Sequence, residues 1–100
     1  MRHPALDKPD RFKEPEILAL LRRFPRRTFV LVGDSGERDP EIYAAVFRRY
    51  PERVRKILIR EVPGAANGPE RWDRAFAGVP PDRWRVFGEP SAVGAIADGN

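Results

Sequence analysis

Apolar positions recur along this chain with two different periods. Ile17, Leu18, Leu21 and Phe24 fall on one helical face while Arg22, Arg23 and Arg26 fall off it, which predicts a helix from Pro15 that Pro25 ends. Thr28-Phe29-Val30-Leu31-Val32 then runs without a break, the pattern of a strand buried on both faces of a parallel sheet, and Gly33 interrupts it. Beyond a glycine-bounded loop, Asp39 reads as a helix N-cap, with Pro40 at the first helical position and Glu41 in the first turn. The helix that follows carries Ile42, Tyr43, Val46, Phe47 and Tyr50 on one stripe, and Pro51 closes it. Val54 and Ile57-Leu58-Ile59 make a second strand. Arg60-Glu61-Val62 lead into a loop from Pro63 to Pro69, and Glu70 to Ala77 reads as a short helix with Trp72 and Phe76 inward. Trp84 to Phe87 is a third strand, and Ser91 caps a last helix, Ala92 to Ala97. Residues 1–11 hold two prolines and many charges without periodicity and read as a mobile arm.

The order α-β-α-β-α-β-α predicts an α/β fold. The expected architecture is a three-layer, Rossmann-like half-domain: a short parallel sheet of about three strands with helices on both faces. No internal repeat and no interdomain linker is visible. With 100 residues, 41% of them hydrophobic, the chain has material for one modest core.

Composition then removes whole classes of function. Charged residues make up 34% and the mean hydropathy is −0.56, with no long uncharged apolar run to span a membrane. The N-terminus shows no secretory h-region, and a cytoplasmic protein is the expectation. Cysteine is absent, so disulfides, iron–sulfur clusters and Cys zinc sites are excluded. The single histidine, His3, lies in the arm, which argues against a histidine metal site or a Ser-His-Asp triad. The net charge is +4 and the pI about 10.1, and sixteen of the nineteen basic residues are Arg. They come as scattered pairs (Arg22–Arg23, Arg26–Arg27, Arg48–Arg49) among fifteen acids, with no basic tail. The plainer reading is a solvated, arginine-favouring surface; the functional one is attraction to phosphates on nucleic acid, lipid headgroups or a soluble substrate.

One segment is equipped for chemistry. In open parallel sheets ligands bind at the carboxyl ends of strands. Asp34 directly follows the first apolar strand, and Asp39 lies five residues on, across a turn that Gly33 and Gly36 permit. Two carboxylates beside a helix N-terminus suit Mg²⁺, which takes one or two carboxylates and bridges to phosphate oxygens. The plainer alternative is that Asp34 forms a turn and Asp39 only caps the helix. The GDSG sequence also invites a hydrolase reading with Ser35 as nucleophile, but no suitable base accompanies it. Glu37 also stands where a nucleophile elbow has its second glycine.

These same residues carry a resemblance. Phe24-Pro25, the stretch Phe29 to Tyr43 (FVLVGDSGERDPEIY), Tyr50-Pro51 and Ile57 to Val62 (ILIREV) resemble the catalytic domain of actin-patch-type phosphatidate phosphatases. That family is part of the haloacid dehalogenase superfamily. The resemblance covers roughly residues 12–97, so that 12–100 looks like the C-terminal portion of such a domain. It implies a role in lipid metabolism: Mg²⁺-dependent hydrolysis of a phosphate monoester such as phosphatidate to diacylglycerol, through an aspartyl-phosphate. It further implies that Lys13 steadies the phosphate charge, that Asp34 and Asp39 hold Mg²⁺, and that Gly33, Ser35 and Gly36 shape the loop. Arg60 and Glu61 stand where the family commonly has Arg-Asp; the Glu is a departure, and no role is assigned to either.

The family's nucleophile motif, DxDxT, does not occur. Asp7-Lys8-Pro9-Asp10 has the wrong spacing and no apolar strand before it. Nothing in the chain can supply covalent phosphoryl transfer by that route. One expectation is therefore a truncated or split phosphatase domain, inactive alone, with affinity for Mg²⁺ and for a phosphate-bearing lipid. A complementing chain carrying DxDxT would complete it, or the chain would self-associate through strand 29–32. The alternative is a small basic binding module for an anionic lipid surface or nucleic acid, the latter disfavoured by the scattered charge.

Overall fold

The computed structural model describes residues 12–88, so the arm at 1–11 and the last helix expected at Ala92–Ala97 lie outside the described residues. Helix α1 (Lys13–Arg23) begins two residues ahead of the expected start. Pro15 is tolerated in its first turn, where the backbone N–H has no intrahelical acceptor. Glu14 and Glu16 near its start, and Arg22 and Arg23 near its end, oppose the helix dipole. Strand β1 (Phe29–Asp34) leads through a turn to α2 (Asp39–Arg49), and β2 (Val54–Arg60) follows. Then come α3 (Pro69–Ala75), a single 3₁₀ turn (Pro81–Arg83) and β3 (Trp84–Phe87).

The three strands form one parallel sheet in the order β1-β2-β3, with helices around it: a small α/β, Rossmann-like half-domain. Leu31 lies beside Ile57 and Gly33 beside Ile59 in the β1–β2 register; Ile57 and Ile59 lie beside Trp84 and Val86 in β2–β3. The connections α2 and α3 step across the sheet in one direction, so right-handed crossovers bring both to the same face. There Leu31, Ile57 and Ile59 meet Leu21, Ala44, Val46, Phe47, Trp72 and Phe76 in the main core. Phe76 stacks on Trp84 with ring centroids 4.3 Å apart.

Strand β1 differs from its expected burial. Leu31 is buried, but its neighbour Val32 is 51% exposed, and among the described residues β1 pairs only with β2. The apolar run is that of an interior strand, yet among the described residues the strand stands at a sheet edge. It also runs two residues past the apolar stretch, because Gly33 and Asp34 pair with Ile59 and Arg60. Two of the residues expected inward, Phe24 (37%) and Tyr50 (41%), lie exposed at helix ends, where the guanidinium groups of Arg23 and Arg49 respectively sit over their rings.

Candidate functional site

The sheet delivers two backbone ends to one place. β1 ends on Asp34 and β2 on Arg60, side by side in register. Ser35 continues the pairing, its N–H donating to the Arg60 carbonyl at 2.9 Å. The Ser35 hydroxyl is buried and accepts the Val62 N–H at 2.7 Å, tying the loop after β1 to the one after β2. This bond spends Ser35 on loop structure.

Between Asp34 and Asp39 the chain makes a tight turn. The Asp34 carboxylate accepts the Gly36 N–H at 3.0 Å, an aspartate turn of the ordinary kind. Asp39 does not cap its helix, contrary to the sequence expectation: the residue before the helix is Arg38, and no side-chain cap bond forms. Asp39 Oδ2 instead reaches back across the turn and accepts the Asp34 N–H at 3.0 Å. Gly33 makes that reach possible, since a Cβ there would lie 2.4 Å from Asp39 Oδ2 and 2.7 Å from its Cβ.

Lys13, the first residue of α1, enters the same space. Its Nζ donates to Asp39 Oδ1 at 2.7 Å and also to Glu37. Lys13 is mostly buried, which opposes its charge, but the hydrogen bonds and charges of Asp39 and Glu37 outweigh this and raise it above the ordinary lysine value. Burial pushes the Asp39 carboxyl up, while Lys13 and the Asp34 N–H draw it back. The short Lys13 contact decides the state at neutral pH: ammonium beside carboxylate. Burial also raises the Tyr43 hydroxyl to about 12, and it donates to the Val32 carbonyl at 3.1 Å.

Lys13, Asp34, Glu37, Asp39, Tyr43 and Arg60 thus line one open cleft of about 660 Å³ at the carboxyl end of the strands. Ligating oxygens of Asp34, Glu37 and Asp39 all lie within 4.8 Å of one another. Three hard oxygen donors at that spacing fit a small divalent cation. Glu61 does not line the cleft; its N–H extends the sheet by donating to the Phe87 carbonyl at 2.8 Å. Sequence reasoning did not single out Glu37 or Tyr43. Glu37 lies inside the acidic loop and was accessible to a count of its carboxylates. Tyr43 carried only the signature of a core stripe.

Residues 3–61 match the family model described as phosphatidate phosphatase APP1, catalytic domain. Over 50 residues, 50% of this chain, the sequence is 42% identical to an uncharacterized protein of Schizosaccharomyces pombe. Over 44 residues, 44% of the chain, it is 43% identical to phosphatidate phosphatase APP1 of Saccharomyces cerevisiae. Each matched stretch is 8% of the relative's own length, so the chain corresponds to a small part of either protein. No solved structure matches.

Proposed function

The chain belongs to the phosphatidate phosphatase APP1 catalytic-domain family, and from that premise we propose that it supplies the lysine and acidic loop of a Mg²⁺-dependent phosphatase site. The substrate would be a phosphate monoester such as phosphatidate, released as diacylglycerol. The supporting observation is the convergence of Lys13 from α1, Asp34 from β1 and Asp39 from α2 in one cleft. Asp34 and Asp39, with Glu37 beside them, would hold the metal. Bound there, Mg²⁺ would neutralise and orient a phosphoryl group.

The chain's own groups have separable tasks. Lys13 keeps its proton at neutral pH and so presents fixed positive charge to a phosphate at the cleft. The Asp39 carboxylate bridges Lys13 and the Asp34 backbone, which locks the lysine to the strand tip. Arg60, beside Asp34 in the sheet register, also lines the cleft and adds a second cation to it. None of the 100 residues forms a DxDxT motif. By the family route, the attacking aspartate therefore comes from outside these residues, in a longer polypeptide or a complementing chain.

The test is phosphate release from phosphatidate in mixed micelles with Mg²⁺. The chain alone should stay at background. Adding a polypeptide that carries a DxDxT strand should produce turnover that Lys13→Ala and Asp34→Asn abolish. Turnover by the unsupplemented chain, lost in those two variants, overturns the claim that the nucleophile is elsewhere. Mg²⁺ titration followed by NMR should move the amides near Asp34 and Asp39; no movement at saturation removes the metal site.

The alternative of a basic binding module has less free charge to draw on than the composition implies. Arg48, Arg53, Arg71 and Arg83 each donate to backbone carbonyls. Binding to anionic vesicles or nucleic acid that falls steeply with salt, and is indifferent to Asp34→Asn, would favour it.

A further inference from the structure

Arg71 lies on α3, beyond the stretch that the family model matches. Its guanidinium ties α3 to the loop between β1 and α2. Nε donates to Glu41 at 3.0 Å and Nη2 to the other oxygen of the same carboxylate at 3.1 Å, a two-point clamp. Nη2 also donates to the Glu37 carbonyl at 2.8 Å. Nη1 donates to the carbonyls of Ser35 and Ala66, both at 2.7 Å. An arginine has five N–H donors, and all five are engaged. The side chain is only 17% exposed.

The partners matter more than their number. Ser35 and Glu37 are alternate residues of the turn that separates Asp34 from Asp39. Glu41 lies in the first turn of α2, two residues past Asp39. Arg71 therefore grips the acidic loop in its middle and just beyond its end, through backbone carbonyls and Glu41, while Lys13 engages the side chains of Glu37 and Asp39. With the carbonyls of Ser35 and Glu37 fixed, the peptide planes of the turn are fixed, and with them the direction in which the Glu37 side chain leaves the backbone. The Ala66 bond anchors the same guanidinium to the segment that feeds α3, so the clamp is braced at both ends.

We propose that Arg71 is a positioning residue: it sets the conformation of the loop carrying Asp34, Glu37 and Asp39, and through it the loop's affinity for a divalent cation. The second half of that statement rests on the cation reading given above; the first half does not. Lysine cannot replace it, because an ammonium on a flexible stem cannot serve a planar fork of five acceptor contacts.

The experiment compares the full chain with Arg71→Lys by NMR, first without metal and then in a MgCl₂ titration. Amides of Ile57, Leu58 and Ile59 in the central strand report whether the fold is kept. In the metal-free variant, loop amides 34–39 should exchange at least about tenfold faster, the equivalent of losing one charge-assisted hydrogen bond, and the Lys13 ammonium resonance should broaden. Mg²⁺ affinity should fall by about the same factor. Loop exchange and Lys13 resonance indistinguishable from the parent chain would overturn the proposal. If Arg71→Lys does not fold, Glu41→Gln decides. It keeps the guanidinium and removes the charge that orients it, and the loop should loosen by a smaller factor; an unaltered loop overturns the proposal. A parent chain that ignores Mg²⁺ removes the cation reading and leaves the metal-free comparison to judge Arg71. A parent chain that binds Mg²⁺ while Arg71→Lys matches it in both loop order and affinity overturns Arg71 and spares the cation reading.

Discussion

At the scale of single residues, the site depends on how closely two groups approach. Asp39 occupies the volume that a side chain at position 33 would need. Gly33→Ala should therefore cost about 1–3 kcal/mol in urea denaturation, the range for overpacking a filled position. Gly36→Ala is the control, because a Cβ there meets Asp34 Oδ1 at 3.3 Å, a tight but yielding contact, and should cost less than about 1 kcal/mol. A similar loss in both variants would mean that the Gly33–Asp39 approach is not special. Glu41 gives a pH dependence. Burial alone would raise its carboxyl, but the hydrogen bonds and charge of Arg71 outweigh burial and hold it below its ordinary value of 4.5. A depressed folded value makes the pair's contribution complete above the ordinary carboxylate range and lost as the pH falls through the depressed value. The difference in denaturation midpoint between the parent chain and Glu41→Gln should be constant from about pH 7 to about pH 5 and shrink below that; a difference that does not change with pH would remove this contribution of the pair. Asp34 and Asp39 were legible in the sequence as a pair. The direction of the Asp39 hydrogen bond was not: Asp-Pro-Glu at a helix start looks the same whether the carboxylate caps its own helix or reaches five residues back.

At the scale of elements, arginine does work that the sequence hides. Arg53 lies just before β2, yet its guanidinium donates to the carbonyls of Leu21 and Phe24 at the end of α1 and of Arg27 just beyond. Arg48 on α2 does the same for Ala75 and Ala77 at the end of α3. Both helices end on carbonyls that lack intrahelical donors, and a neighbouring element supplies them. Arg53→Lys should lower stability by about 1–3 kcal/mol without changing the urea m-value, since the folded surface is unaltered. No loss would mean that water serves those carbonyls equally well. Scattered Arg pairs look like solvated surface because the acceptors are backbone atoms distant in sequence, and no local pattern marks them. Strands were easier: β3 spans Trp84–Phe87 as its apolar pattern predicts, and β2 follows Val54 and the Ile-Leu-Ile run. The end of β1 was not legible, because Gly33 and Asp34 have low strand preference and are held by pairing with β2 alone.

At the scale of the whole molecule, the principal liability is the side of β1 that pairs with no strand among the described residues. Phe29 to Val32 is an uncharged apolar run that, among the described residues, has no strand on its outer side; Tyr43 takes the Val32 carbonyl there, but the half-exposed Val32 side chain carries no charge to deter another strand. We expect light scattering at micromolar concentration to show self-association, reduced by Val32→Lys. A monomer with unprotected outer amides at 29–32 would refute this. No helix among the described residues is long and apolar enough to cross a membrane. The fold class was legible because alternating strands and helices leave few topologies, whereas the cleft required three elements to converge. The β2–β3 pairing carries a separate consequence for where this sequence can be cut. The family model matches residues 3–61, but Trp72, Ala75, Phe76, Val79 and Phe87, all buried, come afterwards. β3 is also the partner that keeps β2 interior to the sheet. The stretch that the family model matches therefore leaves out residues that complete the core. Peptide 1–61, made by itself, should give the circular dichroism of an unfolded chain, and adding 62–100 in trans should restore structure to both. A cut placed where the family match ends would pass through the middle of one hydrophobic core.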